Sequence, residues 1–162
     1  MGWFKRKVKV NADFLIRDRV EKAFDEEKAS LLKALAASKA KPNDMEASIY
    51  AAFQELLAMK MAGLDSDIRA AYAEQAYQFL KNSDPNQADS MKQRFTEYTM
   101  AFEQDVADEN PHLAPTLIGQ GLENMLGASD ESVVLSRLAL VMTHKACVEA
   151  TVPFYKDLSI QT

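Results

Sequence analysis

Residues 84–109, which read DPNQADSMKQRFTEYTMAFEQDVADE, contain the pattern that decides the fold. Apolar residues recur there at intervals of four, three, four and four positions: Met91, Phe95, Tyr98, Phe102 and Val106. This spacing places all five side chains on one face of an α-helix. Asp84 followed by Pro85 is typical of a helix start, and Asn110-Pro111 is typical of a helix end. The stretch therefore predicts an amphipathic helix over residues 85–109.

The same signals divide the rest of the chain into further helices. Asn11, Asn43 and Ser129 are suited to be N-caps, because their side-chain oxygens accept hydrogen bonds from first-turn amides. Gly63 is suited to end a helix in the left-handed conformation. The apolar stripe of the first helix lapses at residues 25–28, where we expect the helix to bend or leave the core. The predicted helices span residues 11–40, 44–62, 66–81, 85–109, 113–126 and 130–151.

Composition agrees with an all-α fold. The 162 residues include only five Gly and five Pro, and 48% are hydrophobic. This length suits one domain with a core of its own, and no segment alternates apolar and polar residues long enough to predict a sheet. We therefore predict a single-domain bundle of about six helices over residues 11–162, preceded by a basic and aromatic segment at residues 1–10.

Two features predict how the helices pack. The last helix is apolar around most of its circumference, which is typical of a central helix. Gly119 and Gly121 lie inside the fifth helix, where each costs about 1 kcal/mol relative to Ala. We interpret them as positions of close helix–helix approach, with a kink or a pocket wall as the alternative.

Charge is distributed unevenly along the chain. Residues 1–41 carry a net charge of +5, whereas residues 42–162 carry −10. Residues 95–136 contain eight acidic residues and no Lys or Arg. Such a stretch could be an ordinary solvated face, or it could attract a basic partner or the basic N-terminus of a second copy. The acids proposed for a partner surface are Glu103, Asp105, Asp108 and Glu109.

The N-terminal segment combines aromatic and basic residues: Trp3, Phe4, Lys5, Arg6 and Lys7, followed by Lys9. These residues could pack on the bundle, bind a protein partner, or rest on an anionic membrane surface through residues 3–9. A sequence pI near 5.1 and a single short basic cluster argue against nucleic acid as the main partner.

The residues that could support chemistry are few. The chain has one cysteine and two histidines and no His-Glu-x-x-His motif, so no metal site or cofactor is predicted. His144 and Cys147 are three residues apart on one helix, where they could meet as base and nucleophile. The alternative is a buried, hydrogen-bonded histidine beside a buried thiol.

These observations favour a non-catalytic, cytoplasmic protein-interaction module, of adaptor, chaperone-like or regulatory type, that binds a protein partner or itself. One alternative is a helical domain that encloses an apolar molecule or a tetrapyrrole, with His144, Cys147, Gly119 and Gly121 around the ligand. A second alternative is membrane association through the N-terminal segment. A third is an enzyme that uses carboxylates such as Asp105, Asp108 and Glu109.

Overall fold

Helices account for most of the computed structural model, which describes residues 8–37, 40–127 and 133–161. One unbroken helical segment comprises α1 (Ala12–Lys22), a π turn (Ala23–Glu27) and α2 (Lys28–Ala37). Five more helices follow: α3 (Asp44–Ala62), α4 (Ser66–Ser83), α5 (Ala88–Ala107), α6 (Pro115–Leu126) and α7 (Val133–Lys156). The predicted all-α bundle of about six helices is confirmed.

A small parallel sheet joins the two ends of the described chain. Strand β1 (Val8–Asn11) pairs with β2 (Leu158–Gln161), with Val8 opposite Leu158. The sequence analysis did not predict this sheet. Four-residue strands are too short to show an alternating pattern, and nothing local indicates a pairing across 150 residues.

Capping residues set several helix ends as predicted. The Asn11 side chain accepts a hydrogen bond from the amide of Phe14 (3.1 Å), and the Asn43 side chain accepts from Met45 and Glu46. Gly63 ends α3 with φ of +80°. The predicted cap at Ser129 lies outside the described residues.

Two prolines behave differently from the prediction. Pro85 does not begin α5, because Asp84 accepts a hydrogen bond from the amide of Asn86 (3.1 Å) and forms a turn instead. The helix therefore begins three residues later, at Ala88. The last helix, which was predicted to end at residue 151, continues through Pro153 to Lys156.

The central helix is α3, not α7 as predicted. Residues 47–55 of α3 are all buried, and α3 packs against α2, the π turn, α4, α5, α6 and α7. In contrast, α7 leaves four apolar side chains largely exposed: Val134 (74%), Leu135 (60%), Leu138 (57%) and Met142 (65%). We call these four residues the α7 apolar face.

Close packing between α3 and α6 depends on Gly121. A Cβ atom on this glycine would lie within 2.8 Å of Cδ2 of Tyr50, which is nearer than packed carbon atoms come. This geometry supports the interpretation of Gly121 as a position of close approach. Gly119 instead lies near the flexible end of Arg137.

None of the helices in the described ranges combines the length and apolar character that crossing a membrane requires.

Candidate functional site

A buried ion pair joins α1 to the central helix. Nε of Arg19 donates to Oε1 of Glu55 (2.6 Å), and Nη2 donates to Oε2 (2.8 Å). The Tyr155 hydroxyl also donates to Oε1 of Glu55. Burial disfavours the charge on Arg19, but the hydrogen bonds and charge of Glu55 outweigh it and raise the pKa of the guanidinium. The guanidinium therefore keeps its charge, and the two hydrogen bonds fix its orientation toward Glu55.

Glu27 is the third charged member of this group, which we call the Arg19 cluster (Arg19, Glu27 and Glu55). Its contact with Arg19 is long, at 3.4 Å from Oε1 to Nη2, and no N–H or hydroxyl donor reaches Oε2. Burial, the charge of Glu55 and a hydrogen bond with that carboxyl raise the pKa of Glu27 to about 8, although Arg19 and Lys22 act against this. Glu27 is therefore mainly protonated at neutral pH.

Glu27 is the last residue of the π turn, at the position where the sequence analysis expected the first helix to bend. The amide of Lys28 donates to the carbonyl oxygen of Ala23, five residues earlier. This wider turn inserts one residue into the helix, which changes the direction of the side chains that follow. π turns of this kind are frequent at functional sites.

A cavity of about 240 Å³ lies between the π turn, α3 and α7. We call it the π-turn cavity, and its polar lining includes Lys22, Glu27, Ser30, Gln54, Thr143 and Thr151. Gln54 is only 4% exposed, yet its Nε2 atom makes no close hydrogen bond and has only a weaker polar contact with the Tyr50 hydroxyl. A buried polar atom without a close hydrogen bond costs about 1–3 kcal/mol. Two such atoms border the cavity, Nε2 of Gln54 and Oε2 of Glu27.

Cys147 also lines the π-turn cavity. Burial, followed by the charges of Glu27 and Glu55, raises the pKa of its thiol to about 12. Its sulfur lies 3.8 Å from Oγ1 of Thr151. Because the thiolate is the reactive form, Cys147 is poorly suited to act as a nucleophile.

His144 is directed elsewhere, toward the loop between α5 and α6. The ring is buried and hydrogen bonds to the backbone of Pro111, while Nε2 has no partner. Burial lowers the pKa of His144 against the raising effects of that hydrogen bond and of Asp105. The geometry therefore does not support His144 and Cys147 as a base–nucleophile pair, and the interpretation of His144 as a buried, hydrogen-bonded histidine fits it.

The candidate acids near the end of α5 occupy two environments. Glu103, Asp108 and Glu109 are exposed, and Glu103 lies 3.8 Å from Nζ of Lys60. Asp105 is fully buried, where its two oxygens accept from the amides of Thr116 (2.8 Å) and Leu117 (2.9 Å).

Asp105 therefore caps α6 and does not share the exposed surface of the other three acids. This arrangement brings no set of carboxylates together in a cavity at this end of α5. The partner role of Glu103, Asp108 and Glu109 stays a prediction. Trp3, Phe4, Lys5, Arg6 and Lys7 lie outside the described residues.

The sequence analysis missed Glu27, Gln54 and Glu55. Two signals pointed to them: the lapse in the apolar stripe at residues 25–28, and the polar pair Gln54-Glu55 inside the otherwise apolar sequence of α3. Across the ranges 8–37, 40–127 and 133–161, no group of three or more His, Cys, Asp or Glu residues could hold a metal ion.

No family model matches this chain, and no curated protein or solved structure shows significant similarity to it.

Proposed function

We propose that this protein is a helical interaction module that associates with a second copy of itself through the α7 apolar face. The observation that supports this proposal is the exposure of Val134, Leu135, Leu138 and Met142, each more than half accessible. Their spacing of one, three and four residues places them along one side of the helix. Contiguous exposed apolar surface is typical of protein-interaction sites.

A second copy fits this face in an antiparallel arrangement with Leu138 at the twofold axis. Val134 of one copy then packs on Met142 of the other, so that apolar side chains meet along the whole stripe. Lys145, seven residues from the axis, lies about 21 Å along the helix from its counterpart, because a helix rises 1.5 Å per residue. This separation is about two and a half times the screening length of about 8 Å in physiological salt. A parallel arrangement would place the two Lys145 side chains together.

Sedimentation velocity over a range of concentrations tests this proposal. We expect a monomer–dimer equilibrium in the unmodified protein and a monomer in Leu138→Glu, because the substitution places two carboxylates at the axis. The control is Val106→Glu, which changes a 50% exposed apolar residue on α5 and should leave the equilibrium unchanged. The proposal is wrong if the unmodified protein stays monomeric at high concentration. It is also wrong if the Leu138→Glu variant dimerises as the unmodified protein does.

Disulfide crosslinking tests the direction of the helices. In a Cys147→Ala background, a mixture of the Val134→Cys and Met142→Cys variants should form mixed dimers under mild oxidation. Either variant alone should crosslink poorly, because its two thiols lie at opposite ends of the stripe. Efficient crosslinking of each variant with itself would indicate a parallel arrangement.

A further inference from the structure

The π-turn cavity adjoins a buried group of charges that lacks one positive charge. Two carboxyl groups, Glu27 and Glu55, share a single guanidinium, and Glu55 takes both of its close hydrogen bonds. Glu27 is left with one contact of 3.4 Å to Arg19, no N–H or hydroxyl donor at Oε2, and a carboxyl–carboxyl hydrogen bond with Glu55 that requires a proton. A bound proton balances the charge at neutral pH. A cation in the cavity would balance it equally well.

Among the described residues, the charged and titratable groups around Glu27 include no other buried cation, and the exposed acid Glu26 lines the same cavity. Those that interact with it come from α1, α3, α4 and α7: Arg19, Lys22, Glu55, Tyr72 and Cys147. Lys22 is only partly buried, and its charge lowers the pKa of Glu27 without preventing the net rise. The described residues therefore do not fully supply a second positive charge beside Glu27.

Gln54 provides a second, independent observation at the same cavity. Its side chain is buried and lines the cavity, and its Nε2 donor makes no close hydrogen bond, only a weaker polar contact with the Tyr50 hydroxyl. A cation alone would leave this donor unsatisfied. A ligand that carries an oxygen acceptor beside its cationic group would satisfy both Gln54 and Glu27.

We infer that the π-turn cavity binds a small protonated primary amine that carries a neighbouring oxygen acceptor, as a β-amino alcohol does. The ammonium group pairs with the carboxylate of Glu27, and the ligand oxygen accepts a hydrogen bond from Gln54. The proton on Glu27 leaves when the ammonium binds, so the charge of the cluster is conserved. This site is separate from the α7 apolar face and does not depend on the proposed self-association.

The rest of the cavity fits such a ligand. The Thr143 hydroxyl donates to the carbonyl oxygen of Ala139 (2.9 Å), which leaves its lone pairs free to accept from an ammonium group. Ala146 and Ala150 form part of the wall, and their small side chains leave room between α7 and the π turn. A volume of about 240 Å³ accommodates a molecule of a few heavy atoms.

Calorimetric titration with ethanolamine, propylamine and ethylene glycol tests the two contacts separately. Propylamine lacks the oxygen acceptor and ethylene glycol lacks the ammonium group. We expect saturable binding of ethanolamine, about tenfold or more tighter than either relative, which corresponds to at least one good hydrogen bond or ion pair. Between pH 6 and 8 the affinity should rise by up to tenfold per pH unit, with release of up to one proton, because Glu27 must ionise.

Two near-isosteric variants assign each contact to its residue. Glu27→Gln should reduce ethanolamine affinity to that of ethylene glycol and remove its pH dependence. Gln54→Met should reduce ethanolamine affinity to that of propylamine and keep the pH dependence. Asp25→Asn is the matched control, because Asp25 is an exposed acid of the same π turn that does not line the cavity. Circular dichroism of each variant checks that it folds.

Three outcomes would overturn the inference. The first is the absence of saturable ethanolamine binding to the unmodified protein at millimolar concentrations. The second is unchanged affinity in Glu27→Gln. The third is preferential binding of propionate at acid pH, which would mean that the cavity accepts an anion beside a protonated Glu27. The proton-release measurement on the unmodified protein remains decisive if either cavity variant fails to fold.

Discussion

The Arg19 guanidinium and the Glu55 carboxylate form two parallel hydrogen bonds of 2.6 and 2.8 Å in the interior, although the residues are 36 positions apart. The pair connects α1 to the central helix. The rings of Phe154 and Tyr155, near the end of α7, lie within 6 Å of Cζ of Arg19. Helices α1, α3 and α7 therefore meet at the buried guanidinium of Arg19.

Arg19→Met should destabilise the protein by about 3–5 kcal/mol, because Glu55 would keep a buried negative charge without its cation. Urea unfolding at neutral pH measures the loss. The matched control is Lys28→Ala, which breaks the exposed Lys28–Asp44 pair (2.9 Å) and should cost less than about 1 kcal/mol. Equal losses in the two variants would mean that the buried pair has no special role in stability.

The raised pKa of Glu27 should make stability decrease as pH rises. The unfolded chain loses the Glu27 proton near pH 4.5, while the folded chain keeps it until about pH 8. Within this window the folded state binds more protons, so the free energy of unfolding falls with rising pH, by at most about 1.4 kcal/mol per pH unit. The contribution is fully present below pH 4.5 and lost above pH 8.

Glu27→Gln should remove this contribution, which urea unfolding at several pH values can measure. The stability of the variant relative to the unmodified protein should increase between pH 5 and pH 8 and then level off. Asp25→Asn, in the same π turn, should show no such trend. A constant difference between Glu27→Gln and the unmodified protein across this range would show that Glu27 titrates normally.

Gly121→Ala should destabilise the protein although alanine favours helices by about 1 kcal/mol. The added methyl group overlaps the ring of Tyr50, which is fully buried. Overpacking of this kind costs about 1–3 kcal/mol. Gly119→Ala is the matched control, because its methyl group meets only Nη2 of Arg137, at 3.1 Å. Thermal unfolding measures the effect. The unfolding midpoint of Gly121→Ala should be lower than that of the unmodified protein, and the midpoint of Gly119→Ala should be equal or higher.

The helices could be predicted from the sequence because their signals are local. Caps such as Asn11 and Asn43 act within three residues, and the apolar spacing of α5 repeats within one turn. The relations that build the candidate site are not local. Asp105 was predicted to be a surface acid, because most aspartates are exposed. Only the fold brings its carboxylate to the amides of Thr116 and Leu117.

The exposure of one side of α7 could not be predicted from the sequence. An apolar residue such as Leu138 is expected in the core, because the sequence does not show how many other helices surround its own. Alanines let other helices approach α3 closely on several sides, which makes it the central helix. The remaining side of α7 is left to solvent, and this exposure carries the proposal of self-association.

Cys147 should react slowly with iodoacetamide in the folded protein and rapidly after denaturation. With a thiol pKa of about 12, compared with about 8.5 for a free cysteine, the thiolate fraction at pH 8 falls by roughly a thousandfold. A reference thiol comes from Lys145→Cys in a Cys147→Ala background, since Lys145 is exposed on the same helix. Mass spectrometry of the alkylated protein over time compares the two rates. If Cys147 reacts as fast as the reference thiol in the folded state, its thiol is not shielded and its pKa is not raised. Cys147 could then act as a nucleophile, but because His144 does not serve as its base, another base within the π-turn cavity would be needed.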